Sequence, residues 1–224
     1  MIFRDRHDAG RRLARSLSAY AGRQDVVVLA LPRGGVPVAF EVAAALGVPL
    51  DVFLVRKLGA PGQPELAMGA IASGGARVLD RSLVARLGVS AAQVAEVEAR
   101  ELRELERRER AYRGDRPAPS VAGYAVILVD DGVATGASLK AAIAALREQK
   151  PAAIVVAVPV APPSTLRALE ALADQVVCVA SPEPFYAVGN FYDDFGETGD
   201  EEVRELLARA GRRAAVGAPA QAAQ

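Results

Sequence analysis

The sequence predicts an α/β protein built on a doubly wound, Rossmann-like parallel sheet with a helical insertion. Three observations carry that prediction. The runs VVVLAL (Val26–Leu31), AVILV (Ala125–Val129) and Ala153–Val158 are apolar at every position, as strands covered on both faces are. Helical patterns alternate with these runs along the chain. A strand, a helix and a second strand also fit into about thirty residues, the size of a βαβ unit with parallel strands.

Taken in order, the first helix is expected at about Asp8–Tyr20, with Leu13, Leu17 and Tyr20 on one side and arginines on the other. Strand Val26–Leu31 is broken by Pro32-Arg33-Gly34-Gly35. A helix over Val36–Leu46 follows, ended by Gly47 and Pro49, and then the strand Asp51–Val55. Residues 56–68, RKLGAPGQPELAM, hold two glycines and two prolines and read as a mobile loop; the short apolar piece GAIAS comes next. Ser90 and Gln93 form a capping-box pattern opening a long helix to about Tyr112. It carries Glu96/Arg100, Glu104/Arg108 and Glu106/Arg110 at i,i+4 spacing and a narrow stripe of Val94, Val97, Leu102 and Leu105. That pattern suits a solvated helix lying over the domain or against a second subunit. The strand Ala125–Val129, helix Ala137–Gln149, strand Ala153–Val158, helix Pro163–Ala173 and strand Gln175–Ala180 continue the alternation. An aromatic segment, Phe185–Phe195, precedes a last helix at about Glu201–Ala210. The expected organisation is one domain over residues 1–212, a helical insertion at about 81–114, and a disordered tail over 213–224.

Composition narrows the function classes. With 27 basic and 27 acidic side chains the formal charge is zero, which argues against nucleic acid or an anionic membrane as a partner. Cys178, the single cysteine, sits in VVCVA and reads as a buried structural thiol. One histidine, His7, and one cysteine supply neither a Cys/His zinc site nor a Ser–His–Asp triad. The polar N-terminus and the lack of a transmembrane-length apolar run lead to the expectation of a cytoplasmic protein.

The most informative stretch is VILVDDGVATGAS, Val126–Ser138. Asp130 and Asp131 stand side by side at the carboxyl end of a strand, where ligands bind in a parallel sheet. Such a pair repels itself unless a cation or ligand hydroxyls offset the charge. Gly132 and Gly136 then permit a tight turn with exposed amides, Thr135 and Ser138 add hydroxyls, and a helix N-terminus begins near Ala137. Together these form a nest for a phosphate monoester beside sugar- or metal-binding acids. A ribose 5-phosphate fits, with its phosphate in the loop and its hydroxyls on the aspartates. Walker, dinucleotide and nucleophile-elbow spacings are absent.

This stretch resembles the phosphoribosyl-pyrophosphate (PRPP) motif of the type I phosphoribosyltransferase family, over most of residues 20–180. The D-R-x-D-A-G start and L-P-R-G-G turn are most similar to its stand-alone "predicted phosphoribosyltransferase" group. The resemblance implies a transferase that moves a 5-phosphoribosyl group from Mg²⁺-bound PRPP to a nitrogenous, nucleobase-like acceptor, releasing pyrophosphate. It assigns the donor to Arg33, Gly34, Gly35, Asp130, Asp131, Gly132, Val133, Ala134, Thr135, Gly136, Ala137 and Ser138. Catalytic roles fall to Arg33, Arg56, Lys57, Asp130 and Asp131. The metal sits on Asp130 and Asp131 through water or the ribose hydroxyls. By the same resemblance the Pro32–Arg33 peptide is cis, and residues 57–68 are a closing lid. Phe185, Tyr186, Phe191 and Tyr192 are candidates to stack a flat acceptor, or are plain packing. Ala134 stands where 6-oxopurine enzymes carry an aspartate, which speaks against hypoxanthine or guanine salvage. A homodimer is compatible with the family. The competing reading is a non-catalytic protein that senses PRPP or a nucleotide on the same fold.

Overall fold

The computed structural model describes residues 3–114 and 116–217. Helix α1 (Arg6–Ser16) starts two residues before its expected position because Asp5 caps it, accepting a hydrogen bond from the Asp8 amide. Strand β1 (Val26–Ala30) leads through the Pro32–Gly35 turn into α2 (Gly35–Leu46), which stops at left-handed Gly47. Strand β2 (Leu50–Val52) ends three residues before the expected limit.

Residues 56–68 are not a loop. They form β3 (Val55–Ala60) and the first part of β4 (Gln63–Ala72), which with β5 (Ala76–Leu79) make an antiparallel three-stranded sheet. The glycines that resemble loop signals serve close backbone approach instead. A β-carbon on Gly59 would lie 2.4 Å from the Pro64 carbonyl oxygen, and one on Gly69 would lie 2.3 Å from that of Val78. The helical insertion follows as α3 (Arg81–Arg86) and α4 (Ala91–Arg113); Ser90 and Gln93 form the expected capping box. Leu102 is exposed, so the apolar stripe of α4 narrows to Val94, Val97 and Leu105.

The chain then returns to the main sheet with β6 (Ala125–Val129), α5 (Ala137–Glu148), β7 (Ala153–Val160), α6 (Pro163–Glu170) and β8 (Gln175–Ala180). The last helix, α7 (Asp200–Gly217), runs past its expected end at Ala210; residues 218–224 of the expected tail lie outside the described residues. The five parallel strands are ordered β2-β1-β6-β7-β8. The central strands face two apolar layers. Val26, Val28 and Ala30 of β1 pack with α1, α2 and α7, whereas Val27 and Leu29 pack with α5 and α6. Strand order reverses between β1 and β6, so a crevice opens beyond their carboxyl ends.

Candidate active site

Two loops meet at that crevice. The amide of Leu31 donates to the Val129 carbonyl (2.9 Å), the last rung joining β1 to β6 before both chains turn away. After β1, Pro32–Arg33 is a cis peptide, and Gly35 N–H returns to Leu31 O at 3.1 Å, closing the turn. This turn is pressed against the other loop. A β-carbon on Gly34 would lie 2.0 Å from Asp131 Oδ2, and one on Gly35 would lie 2.8 Å from Val129 O. Only glycine permits that approach.

After β6 come the two acids. Asp130 Oδ1 accepts the Asp131 amide at 2.9 Å. Burial, and then the charge of Asp131, push the Asp130 carboxyl well above the ordinary carboxylate range. Burial also raises Asp131, opposed by Arg6, whose Nε donates to Asp131 Oδ2 at 2.8 Å. The following turn is anchored from outside: Val133 N–H donates to Val160 O (2.9 Å) and Thr165 Oγ1 to Ala134 O (2.6 Å). Gly136, at φ +76, reverses the chain into α5. No side chain caps the first turn of α5, and Ala134, Thr135, Ala137 and Ser138 are exposed. This end of the loop presents amides, hydroxyls and a helix dipole to solvent, the surroundings an anion binds.

The candidate cations are engaged by carboxylates. Arg33 reaches Glu197 through Nη2, and its Nη1 is 3.9 Å from Asp200. Arg56 is not on a loop but on β3, where Nη2 and Nε both bond Glu101 of α4, at 2.6 and 3.0 Å. Lys57 points to the other face of β3, exposed, 3.0 Å from Glu65 across the hairpin. The aromatic candidates divide. Phe185 and Phe191 stack on each other with centroids 5.1 Å apart, and Tyr186 is exposed. Tyr192 is buried between Phe3 and Phe195, and its hydroxyl donates to the Asp131 carbonyl; it supports the acid loop and offers no free face. His7 bonds Glu41 of α2 through Nδ1 at 2.9 Å. Burial raises the Cys178 thiol, which donates to Ala180 O.

The model of the phosphoribosyl transferase domain matches residues 3–195, nearly the whole of this architecture. The chain belongs to the phosphoribosyl transferase domain family. The crystal structure of TT1426 from Thermus thermophilus is 47% identical, superposes with a TM-score of 0.84, and is matched over 93% of this chain and 99% of that one. A Mycobacterium tuberculosis protein whose name is provisionally that of a phosphoribosyl transferase is 47% identical over 211 residues, 94% of this chain and 47% of its own. The chain thus spans about half the length of the curated relatives it matches. An Aquifex aeolicus structure at 10% identity and a TM-score of 0.50 shares the fold, over 90% of this chain and 84% of that one.

As a phosphoribosyl transferase domain the chain holds contacts that its sequence did not reveal. Arg6, Tyr192, Thr165 and Glu197 all bear on the two loops. The D-R-x-D-A-G start marked Arg6 as a group feature without giving it a partner, which lies 125 positions away. No group of three or more His, Cys, Asp or Glu side chains among the described residues forms a metal cage. Two carboxylates beside a turn of open amides nevertheless fit Mg²⁺, which takes one or two protein carboxylates and completes its shell with water and ligand phosphates.

Proposed function

We propose that this domain, within residues 1–212, transfers a 5-phosphoribosyl group from Mg²⁺-bound PRPP to a nitrogenous, nucleobase-like acceptor and releases pyrophosphate. The observation that carries the reading is the contact between the two loops. The Arg33-Gly34-Gly35 turn abuts the Asp131 carboxylate, and the open amides of α5 begin at Ala137, six residues beyond Asp131. A ligand with an anion at each end and hydroxyls between matches that sequence of groups.

In this reading the α5 amides, Thr135 and Ser138 bind the 5-phosphate, and Asp130 and Asp131 accept hydrogen bonds from the ribose hydroxyls. The Arg33 and Gly34 amides and the Arg33 guanidinium take the pyrophosphate, once Glu197 yields it; the Gly35 amide stays on Leu31 O and lets the turn approach the acids. Asp130 and Asp131 would hold Mg²⁺ through water; when bound, the ion neutralises charge on the departing pyrophosphate. A C1′–N bond forms to the acceptor as the C1′–O bond breaks, the electron pair leaving on the pyrophosphate and the acceptor's N–H proton passing to water. Positive charge gathers on the ribose ring, where the carboxylates stabilise it. The methyl of Ala134 can take no proton from the acceptor. Lys57 would join the pyrophosphate only by leaving Glu65. Phe185 and Tyr186 are the aromatics with surface to offer an acceptor, and the site calls for no nucleic acid or membrane.

A sensing protein is the second reading, favoured by one observation: Arg33 and Arg56 are both held by carboxylates. Calorimetric titration of PRPP with Mg²⁺ into wild type and Asp130→Asn/Asp131→Asn, followed by pyrophosphate-release assays across nucleobases, tests both. Binding lost in the double variant with release for some base supports transfer. Binding without release for any base supports sensing, and no binding overturns the donor site.

A further inference from the structure

Arg6 lies on neither loop, yet it makes the most enclosed ionic contact of the site: the side chains of Arg6 and Asp131 are only 12% and 14% exposed. Three further restraints fix the guanidinium. Nη1 donates to the Gly196 carbonyl at 2.6 Å. Its central carbon stands 4.0 Å from the centroid of the Phe195 ring. A β-carbon on Gly34 would come within 3.3 Å of Nε, so the Pro32–Gly35 turn closes the remaining side. A planar fork that donates in two fixed directions while stacking on a ring is specific to arginine; an ammonium has three donors, but no flat face to stack and no fixed fork.

The main chain at Asp131 is already held, because its carbonyl accepts from Tyr192 and its amide donates to Asp130 Oδ1. What stays free is the rotation of the carboxylate, and Arg6 removes that freedom. We propose that Arg6 is a positioning residue of the donor site: by holding Asp131 Oδ2 it leaves Oδ1 oriented to receive a ribose hydroxyl. The inference rests on the donor-site reading above. It assigns Arg6 to the ribose part of the ligand alone, because pyrophosphate is bound by the 33–35 turn.

That division supplies the test. PRPP and inorganic pyrophosphate, each with Mg²⁺, are titrated into wild type, Arg6→Gln, Arg6→Lys and Asp131→Asn with and without Arg6→Gln. Arg6→Gln is expected to weaken PRPP about tenfold, the scale of one charge-assisted hydrogen bond. Pyrophosphate affinity stays within about twofold, and Arg6→Lys recovers only part of the loss. In the Asp131→Asn background Arg6→Gln adds little, because its target has lost its charge. Where Arg6→Gln does not fold, the same PRPP-selective loss in Arg6→Lys supports the proposal. Equal loss of both ligands, unchanged PRPP binding, or full rescue by lysine overturns it while leaving the donor site standing. Failure of wild type to bind PRPP overturns the donor-site reading, and this inference with it.

Discussion

Gly34 and Asp131, from loops that follow different strands, are in van der Waals contact, with room for no more than a hydrogen on the glycine: a β-carbon there would fall 2.0 Å from Asp131 Oδ2. Gly34→Ala must therefore push the two loops apart or rotate the carboxylate off Arg6. The expected result is a destabilisation of about 1–3 kcal/mol, the range of an overpacked site, together with loss of PRPP binding. Urea unfolding and calorimetry on the same variant check both. A well-folded Gly34→Ala that binds PRPP normally would show that the contact is incidental.

Asp130 gives a pH prediction. Its carboxyl is raised well above 3.8 by burial and by Asp131, so the fold favours the protonated form. For an acid raised in the folded state, stability is full below the unfolded value and falls as pH rises through the folded value; the cost then persists to neutrality. Asp130→Asn is expected to be more stable than wild type at pH 7, by more than the roughly 0.5 kcal/mol of an ordinary surface change. The advantage should shrink toward pH 3. Thermal melts across that range decide it, and an equal advantage at every pH would remove burial of the charge as its cause.

Glu197 occupies the guanidinium assigned to the leaving group. The pair is 42% and 76% exposed, so its worth is that of a surface ion pair, up to about 1 kcal/mol. Glu197→Gln should tighten pyrophosphate binding about two- to fivefold by leaving Arg33 uncontested. Weaker binding would mean that Glu197 orients Arg33 and does not compete for it.

Arg56 and Glu101 tie the hairpin to α4, and Glu101 is only 13% exposed. Glu101→Gln is expected to speed amide exchange across 55–72 and cost about 1 kcal/mol of stability. If residues 57–68 close as a lid, the variant also alters turnover; unchanged turnover with faster exchange would confine Arg56 to a structural tie.

Much of the main sheet, of the acid loop and of α4 was legible because their determinants are local. The apolar runs of β1 and β6, the acids after β6, and the capping box Ser90/Gln93 each occupy consecutive or nearly consecutive residues. Segment 56–68 was misread because Gly and Pro signal breaks, and the same residues also let backbones approach within a small sheet. That second use depends on the register that sets Pro64 against Gly59 and Val78 against Gly69, which a count of break residues does not contain. Arg6 and Tyr192 were obscure for a related reason. The N-terminal segment is joined to the segment before α7 by the bridge between Phe3 and Tyr192, and it is this closure that carries them to Asp131.

The bridge between Phe3 and Tyr192 divides the architecture by the kind of support each part enjoys. The turn after β1 and the acids after β6 hang from a ladder of main-chain bonds that any sequence of adequate core volume can supply. Residues 185–200 hang from only a few main-chain bonds, to Phe3 and Arg4, and otherwise from individual side chains: Arg6, Tyr192, Phe3 and Phe195. On the proposed function, an engineer could therefore diversify 185–191 while leaving those four intact, and select for new acceptors without redesigning the two loops proposed to hold the donor.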